Sequence, residues 1–459
     1  MSGPHILIIV QNLPVPLDRR VWLECQALVR CGYEVSVICP KGPADPAREE
    51  IDSVHIYKYP PAPKATGLAG FVLEFMYSWL RTALLSIAVW QRRPFQVIQA
   101  CNPPDTYWLL ARLWRPRGVK FVFDQHDLNP ELFLSRFGQP TGSVARLELK
   151  ALLWLERMTY RTSNKIISTN ESYKAIAMRR GRRTAMDVAV VRSGPDTRQM
   201  RPIYPLTAPA RRTFSLVYLG IMGPQDGVDL VLRVMADLVH RRRRRDVHAS
   251  LLGFGDCLDD LKREATRLKL DKWVTFTGRA DKSMIDDHLS AADVGLCPDL
   301  KTPLNDVSTM NKTMEYMAYA LPSVSFDLVE TRVSGGDSVL YVRSGDEVAF
   351  ADAVERLLDD PELRVEMALR ARKRVAAELD WRPQAEKYLT VFETLTGWHG
   401  LTEVPEYTEG RQELKFDHRG RPYVDLTDTI ELRRFILERS PRDTNRDTDG
   451  RPPARVQAR

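Results

Sequence analysis

The sequence predicts an α/β protein built from two doubly wound parallel-sheet units in series. Short, near-continuous apolar runs bounded by helix-period segments recur through the first half, as strands covered by helices on both faces require. The same alternation restarts at "FSLVYLGIM" after an interruption, "VRSGPDTRQMRPIYP", that is rich in Gly, Pro and Arg and poor in periodicity. The chain has 459 residues, long enough for two such units and an extension.

Taken in order, "HILIIVQ" reads as the first strand, and "DRRVWLECQALVRCG" as a helix with Gly32 in the position of a C-cap. "YEVSVICP", "FQVIQACNP" and "VKFVFDQHD" read as further strands, the last two separated by the helix "DTYWLLARLW". "NKIISTNES" is a strand and turn. In the second unit "FSLVYLGIM", "VHASLLGFGD", "WVTFTGRA", "DVGLCPD" and "PSVSFD" are strands, and "QDGVDLVLRVMADLVHRR", "CLDDLKREATRLKL" and "MIDDHLSAA" are helices. "PELRVEMALRARKRVAAELD" and "WRPQAEKYLTVFETLTGW" are closing helices. The expected organisation is residues 1–195, residues 196–379, a helix over 380–398 that crosses back to the first unit, and a tail over 399–459. That tail is densely but evenly charged and ends with almost no apolar content, so most of it should be disordered, with a short helix at "TIELRRFILERS".

Composition is that of an ordinary soluble protein, and the net charge of +7 is a mild excess that suits phosphate ligands or anionic lipid. The six cysteines form no CxxC pair and no ligand cluster with histidine, which implies reduced thiols, a cytoplasmic setting and no bound metal. "MSGPHILIIVQNLP" lacks the basic start of a signal peptide. The longest apolar stretch, residues 67–90, is interrupted by Glu74 and Arg81. With Ser78 these residues make one polar stripe at helical spacing, so the segment fits either a core helix or a helix lying in the inner face of the cell membrane.

Two stretches carry the chemistry. In "NDVSTMNKTMEYMAYALPSV", Asn305, Asp306, Ser308 and Thr309 are capping residue types before an apolar helix that includes Met310 and Met314 and should end before Pro322. Lys312 and Glu315 share a helix face. A helix start beside a lysine suits an anion, and a glutamate beyond it suits a pair of hydroxyls; a capped core helix with a solvated face has the same pattern. In "FVFDQHDLNPE" the strand delivers His126 and Asp127 to its carboxyl edge, where open α/β sheets bind ligands; His126 as a structural turn residue is the plainer alternative. "NPPDT" ends the neighbouring strand as a rigid loop.

Other motifs narrow the class. No glycine-rich dinucleotide turn follows the first strand; Asp18, Arg19 and Arg20 stand there instead, where an arginine can meet a phosphate. "LGIMGPQDG" and "LLGFGD" place Gly220, Gly223, Gly227, Gly253 and Gly255 at strand ends, where they either admit a ligand or merely tighten a connection. The run Arg241 to Arg245 has no interleaved aromatics and reads as solvated helix end, not a nucleic-acid site. "DTD" at Asp447 to Asp449 has no scaffold to hold a metal.

Residues 5–396 resemble a GT-B glycosyltransferase of the retaining family 4 group, in the branch that builds O-antigen, capsule or other surface polysaccharide. "DQHDLNPE", "SGPD", "GIMGPQDGVD", "FTGRA" and "STMNKTMEYMAYALPSV" stand in the family's order. The resemblance implies two Rossmann-like domains facing across a cleft and a nucleotide-sugar donor, with UDP expected. It also implies a glycan or polyprenyl-linked acceptor and no cofactor or metal. By the same resemblance Glu315 holds the ribose, the turn at Ser308, Thr309 and Met310 with Gly223 approaches the diphosphate, and His126 contacts the sugar. Two departures stand out. Val307 occupies the position eight residues before Glu315 where the family has a glutamate, with Asp306 as the adjacent stand-in. "GPQDG" carries Asp226 where the family has basic residues, leaving Lys312 and Arg279 to supply positive charge. A nucleotide-sugar 2-epimerase on the same plan and a catalytically silent GT-B partner subunit remain as alternatives; epimer formation without acceptor marks the first, and donor binding without turnover the second.

Overall fold

The computed structural model describes residues 3–42, 45–62, 67–204, 213–400 and 415–441. "DTD" at 447–449 and most of the expected charged tail lie outside the described residues.

The first lobe is an eight-stranded sheet. Its strands are β1 (His5–Ile9), β2 (Glu34–Pro40), β3 (Arg48–Ile51), β4 (Val54–Tyr59), β5 (Val97–Cys101), β6 (Lys120–Gln125), β7 (Lys165–Ser168) and β8 (Val188–Val190). They lie in the order β3-β4-β2-β1-β5-β6-β7-β8, and every pairing is parallel except β3 with β4. Ile6 to Ile9 are wholly buried, as expected of a strand covered on both faces. β1 pairs with β2 on one side and β5 on the other, so the chain reverses its winding there and opens a crevice at the carboxyl ends. The β3–β4 hairpin escapes the sequence pattern because "REEI" is a polar edge strand; Asp52 and Ser53, both at positive φ (49° and 63°), make its tight turn. Helices α1 (Arg19–Arg30), α2 (Gly67–Arg92), α3 (Trp108–Trp114), α4 (Asn129–Phe137), α5 (Ser143–Thr162) and α6 (Glu171–Gly181) cover this sheet. Asp18 caps α1 by accepting from the Val21 N–H at 3.1 Å.

The second lobe is a six-stranded, all-parallel sheet in the order β11-β10-β9-β12-β13-β14. Its strands are β9 (Phe214–Leu219), β10 (Val247–Leu252), β11 (Val274–Gly278), β12 (Val294–Cys297), β13 (Ser323–Phe326) and β14 (Val339–Val342). Here β9, between β10 and β12, is the switch point. Its helices are α7 (Val228–Ala236), α8 (Leu258–Arg267), α9 (Lys282–Ala291), α10 (Asn311–Ala318), α11 (Val329–Gly335), α12 (Glu347–Asp359) and α13 (Pro361–Arg374). The arginine run after α7 is answered locally: Arg242 pairs with Asp352 and Glu355, and Arg244 with Asp359, all on α12.

Two connections between the lobes run side by side. The connection at Gly194 passes so close to Leu379 that a Cβ there would lie 1.9 Å from its carbonyl oxygen. Thr197 donates to Asp380 through both N–H and hydroxyl. From Asp380, α14 (Trp381–Thr396) crosses to the first lobe, where Trp381, Tyr388 and Phe392 pack with the α1 and β1 core.

α2 departs from the expected stripe. Ser78 is buried, together with Thr82 and Ser86, whereas Glu74 is exposed and Arg81 is half-buried. Trp114 donates its indole N–H to Ser86 at 3.1 Å, and Tyr107 lies 3.4 Å from the Thr82 hydroxyl, so neighbouring aromatics satisfy the small hydroxyls facing inward. Leu73, Met76, Leu80, Leu84 and Ile87 face outward. Among the described residues no helix is long and apolar enough to cross a membrane.

The short helix expected at "TIELRRFILERS" forms, and the expectation of disorder around it is corrected for the rest of residues 415–441. This segment pairs with the linker through Tyr204 N–H to Pro422 O and Val424 N–H to Pro202 O, each 3.0 Å. It then forms α15 (Thr429–Glu438), which lays Leu432, Phe435 and Ile436 on Val365 and Ala368 of α13. Three large apolar side chains at i, i+3 and i+4 share one helix face and outweigh the surrounding charge. Phe435→Ala is expected to destabilise the second lobe by about 3 kcal/mol, seen as a lowered Tm in thermal unfolding of the full chain.

Candidate active site in the cleft between lobes

On the first lobe the site grows from the carboxyl ends of β1, β5 and β6. Asp124 and His126 lie two apart, so both side chains leave the same face as β6 ends. Asp124 Oδ2 lies 2.7 Å from His126 Nε2, Arg20 donates to Asp124 Oδ1 at 2.9 Å, and the Arg20 Nε lies 3.2 Å from His126 Nε2. Arg20 also donates to Val191 O and Ser193 Oγ, both at 2.9 Å, and pairs with Glu24 at 3.1 Å. Beneath it, Gln99 donates to Glu24 at 2.8 Å and Asp124 at 3.1 Å, and accepts from the Tyr388 hydroxyl of α14 at 2.6 Å. Asn102 holds the next turn: its Oδ1 accepts from the N–H groups of His126 (2.8 Å) and Asp127 (3.1 Å), and its amide donates to Asp127 O at 2.8 Å. The "NPPDT" loop is therefore the clamp that aims His126.

Electrostatics follow from this packing. Burial alone would lower the His126 pKa, but the Asp124 charge and hydrogen bond overcome it and raise it to about 9. Burial would raise Asp124, yet Arg20 and His126 hold it well below the usual carboxylate range. Glu24, buried and repelled by Asp124, is pushed up to about 8. Burial also raises Asp127, opposed by the charges of His126 and Arg136. The donor atoms of Cys101, Asp124 and His126 lie within 4.8 Å of one another, a spacing that a metal ion can bridge. The Arg20 guanidinium also stands against two members of that group, Asp124 and His126.

On the second lobe, the β9 and β10 turns stack back to back. A Cβ on Gly253 would lie 1.8 Å from Gly220 O, so this glycine serves turn-to-turn packing. Gly223 donates its N–H to Asp226 at 2.8 Å and lines a cavity of about 440 Å³ with Ile221, Phe254 and Gly255, which Arg136 of α4 faces from the other lobe.

The helix expected to start among Asn305 to Thr309 is divided. Asn305–Val307 is a 3-10 turn, and α10 begins at Asn311 behind Met310, with no side-chain cap. Ser308 and Thr309 do not cap it. Ser308 Oγ lies 2.7 Å from the Tyr173 hydroxyl, and Thr309 accepts from Asn170 at 3.1 Å, both across the cleft. The first N–H groups of α10 thus have no side-chain acceptor and suit an anion. α10 closes at Ala318, short of Pro322, because Ala320 turns to φ 49°.

Several expected roles are corrected by geometry. Lys312 is buried beneath the Gly220 turn, bonded to Asp299 and 5.2 Å from the Tyr218 ring centroid. Despite burial, Asp299 raises its pKa, so Lys312 stays charged but is matched by an anion. Asp306 accepts from Val329 N–H at 3.0 Å at the start of α11 and meets Lys301 at 3.4 Å, so it does not stand in for the missing glutamate beside α10. Arg279 is exposed at the end of β11, with β10 between it and β9, and does not join Lys312. Glu315 does face the cleft, where its carboxylate meets Arg19 of the first lobe at 3.1 Å. Sequence reasoning passed over Asp124, Glu24, Asp299 and Tyr388. The period-two spacing of Asp124 and His126 and the i, i+4 spacing of Arg20 and Glu24 were readable signals; Tyr388 left none.

Comparison with known proteins agrees with this architecture. Residues 17–217 match the family described as "Glycosyl transferase 4-like domain", and residues 213–360 the family "Glycosyl transferases group 1". The chain is 26% identical over 363 residues to alpha-D-kanosaminyltransferase of Streptomyces kanamyceticus, covering 74% of this chain and 88% of that one. Sucrose-phosphate synthase from Thermosynechococcus elongatus shares the fold with a TM-score of 0.69 and 19% identity, covering 86% of this chain and 99% of that one. Anabaena HepE, solved with UDP and glucose, gives 0.61 and 15%, covering 86% and 100%.

An unfolded imidazole titrates near 6.5, so the stability contributed by His126 is complete below about pH 6.5 and is lost as pH rises through about 9. Asp124→Asn is expected to bring the His126 midpoint down from about 9, read by NMR titration of the imidazole; a midpoint unmoved by the substitution would contradict the pairing.

Proposed function

The chain belongs to the glycosyltransferases of GT-B fold, and we propose that it moves a sugar, with retention, from a UDP-sugar to a glycan or lipid-linked acceptor of surface-polysaccharide type. The observation that carries this reading is the juxtaposition of Glu315 and the uncapped start of α10 with the His126 edge of the opposite lobe. A carboxylate accepts from two ribose hydroxyls, and the helix start accepts the diphosphate beside them. Charge grows on that diphosphate as the glycosidic bond breaks, and fixed N–H dipoles stabilise it most where water is excluded. His126, held as an imidazolium by Asp124, donates to a sugar hydroxyl and orients the reacting carbon. No metal enters this scheme, because its charges come from backbone, histidine and arginine.

The test is donor consumption by the full chain across UDP-, GDP- and ADP-sugars, with polyprenyl-phosphate-linked and free glycan acceptors. Glu315→Ala is expected to raise the donor KM about tenfold or more, and His126→Ala to lower kcat by about a hundredfold. Unchanged kinetics in both variants would remove the site from this cleft. Epimer formation without acceptor would favour an isomerase instead.

The acceptor side carries its own support. Leu73, Met76, Leu80, Leu84 and Ile87 form an outward stripe on α2, and Leu109 and Leu113 are exposed on the adjacent α3. Arg112, Arg115 and Arg117 stand exposed beside them. An apolar stripe rimmed by arginines fits the interface of an anionic bilayer and would bring the cleft to a lipid-linked acceptor. The chain is expected to co-sediment with phosphatidylglycerol vesicles and less with phosphatidylcholine. The double variant Leu80→Glu, Leu84→Glu should lose binding while keeping its Tm.

A further inference from the structure

The second lobe brings little free positive charge to the place where a diphosphate would lie, and Arg136 faces the neighbouring Gly223 cavity from the first lobe. Lys312 is buried against Asp299, and the turn from Leu219 to Leu232 contains Asp226 and Asp229 but no lysine or arginine. Arg20 is committed to Asp124, Glu24, Val191 and Ser193. Arg19 differs. It opens α1, its side chain is about a third exposed, and it reaches across the cleft to Glu315 at 3.1 Å while touching Met200 of the linker at 2.8 Å. The carboxylate it holds is the one assigned to the ribose. In a nucleoside diphosphate the ribose and the first phosphate are joined directly, so a guanidinium displaced from Glu315 has the diphosphate within a side chain's reach.

Resting on the donor reading above, we propose that Arg19 is a donor-site residue with two successive partners: it competes with the ribose hydroxyls for Glu315, and once displaced it pairs with the diphosphate. The exchange trades one ion pair for another of the same kind, since a guanidinium meets phosphate as readily as carboxylate. It also links recognition of the nucleoside to neutralisation of the leaving group, because Arg19 is released only when the ribose is seated. A bare nucleoside pays for displacing Arg19 and gains nothing from it; a nucleoside diphosphate recovers the interaction.

The test uses calorimetric titration of the full chain with uridine and with UDP, and donor-turnover kinetics, in wild type, Arg19→Ala, Arg19→Lys and Glu315→Ala. Arg19→Ala is expected to bind uridine about two- to fivefold more tightly, from loss of the competing partly exposed ion pair. The same variant should bind UDP about tenfold or more weakly, with kcat reduced about a hundredfold. Arg19→Lys, which keeps the charge without the fork, should retain most of the UDP affinity and guards against a folding defect. Glu315→Ala should weaken both ligands. Arg19→Ala with wild-type affinities for both ligands, or with uridine weakened alongside UDP, overturns the inference while a loss of binding in Glu315→Ala leaves the donor reading standing. If wild type binds none of UDP, GDP and ADP, the donor reading fails and this inference with it.

Discussion

The buried ion pair between Arg20 and Asp124 is the constraint on which the cleft depends. A guanidinium and a carboxylate removed from water are tolerable only when both are fully partnered. Here the partners come from five places: α1 through Glu24, β5 through Gln99, the end of β6 through His126, the end of β8 through Val191 and the linker through Ser193, while Tyr388 of α14 holds Gln99 in turn. One charged group thus fixes the position of the interlobe linker and of the helix that returns from the second lobe. Loss of either member would leave an isolated charge in the core, a cost of about 3–5 kcal/mol. The same pair sets the state of His126, which shares Asp124 with Arg20. Stability and the electrostatics of the site therefore have one origin.

Across the gap the second lobe presents a different balance. Its cation, Lys312, is locked to Asp299, and its turns carry carboxylates. Dipoles, not free charges, are what α10 offers an anion. The lobes complement one another: Asn170 and Tyr173 of the first hold Thr309 and Ser308 of the second, and Arg19 meets Glu315. A small apolar cluster of Leu128, Tyr173 and Leu304 crosses beside these bonds. The polar residues that looked like helix caps are contacts between lobes, so the start of α10 stays uncapped and its approach angle is set by the first lobe.

The outer surface follows the same logic of placing groups by partner availability. α2 turns Thr82 and Ser86 inward, where Tyr107 and Trp114 supply hydrogen-bonding partners, buries Ser78 on the same side, and turns its leucines outward. The 415–441 segment, charged overall, is folded by the few apolar residues it lays on α13 and by backbone pairing with the interlobe linker.

The sequence by itself determined the two α/β units, the strand edges that bear His126 and the glycine turns, and the helix that carries Glu315, because these depend on local periodicity and on capping and turn residues. It disclosed the short helix after residue 428 but not the β3–β4 hairpin, whose polar edge strand lacks an apolar signal, nor the docking of residues 415–428 on the linker, which rests on backbone pairing. Only the tertiary structure decided which charges are free. Lys312 and Glu315 look alike as neighbours on one helix face, yet one is buried against Asp299 and the other meets an arginine from the opposite lobe. Arg19 and Arg20 are adjacent in the chain, and one turns to the cleft while the other enters the core. The reason is physical: secondary structure is written in spacing along the chain, but the fate of a charge is set by the partners that distant segments bring to it and by the water they exclude.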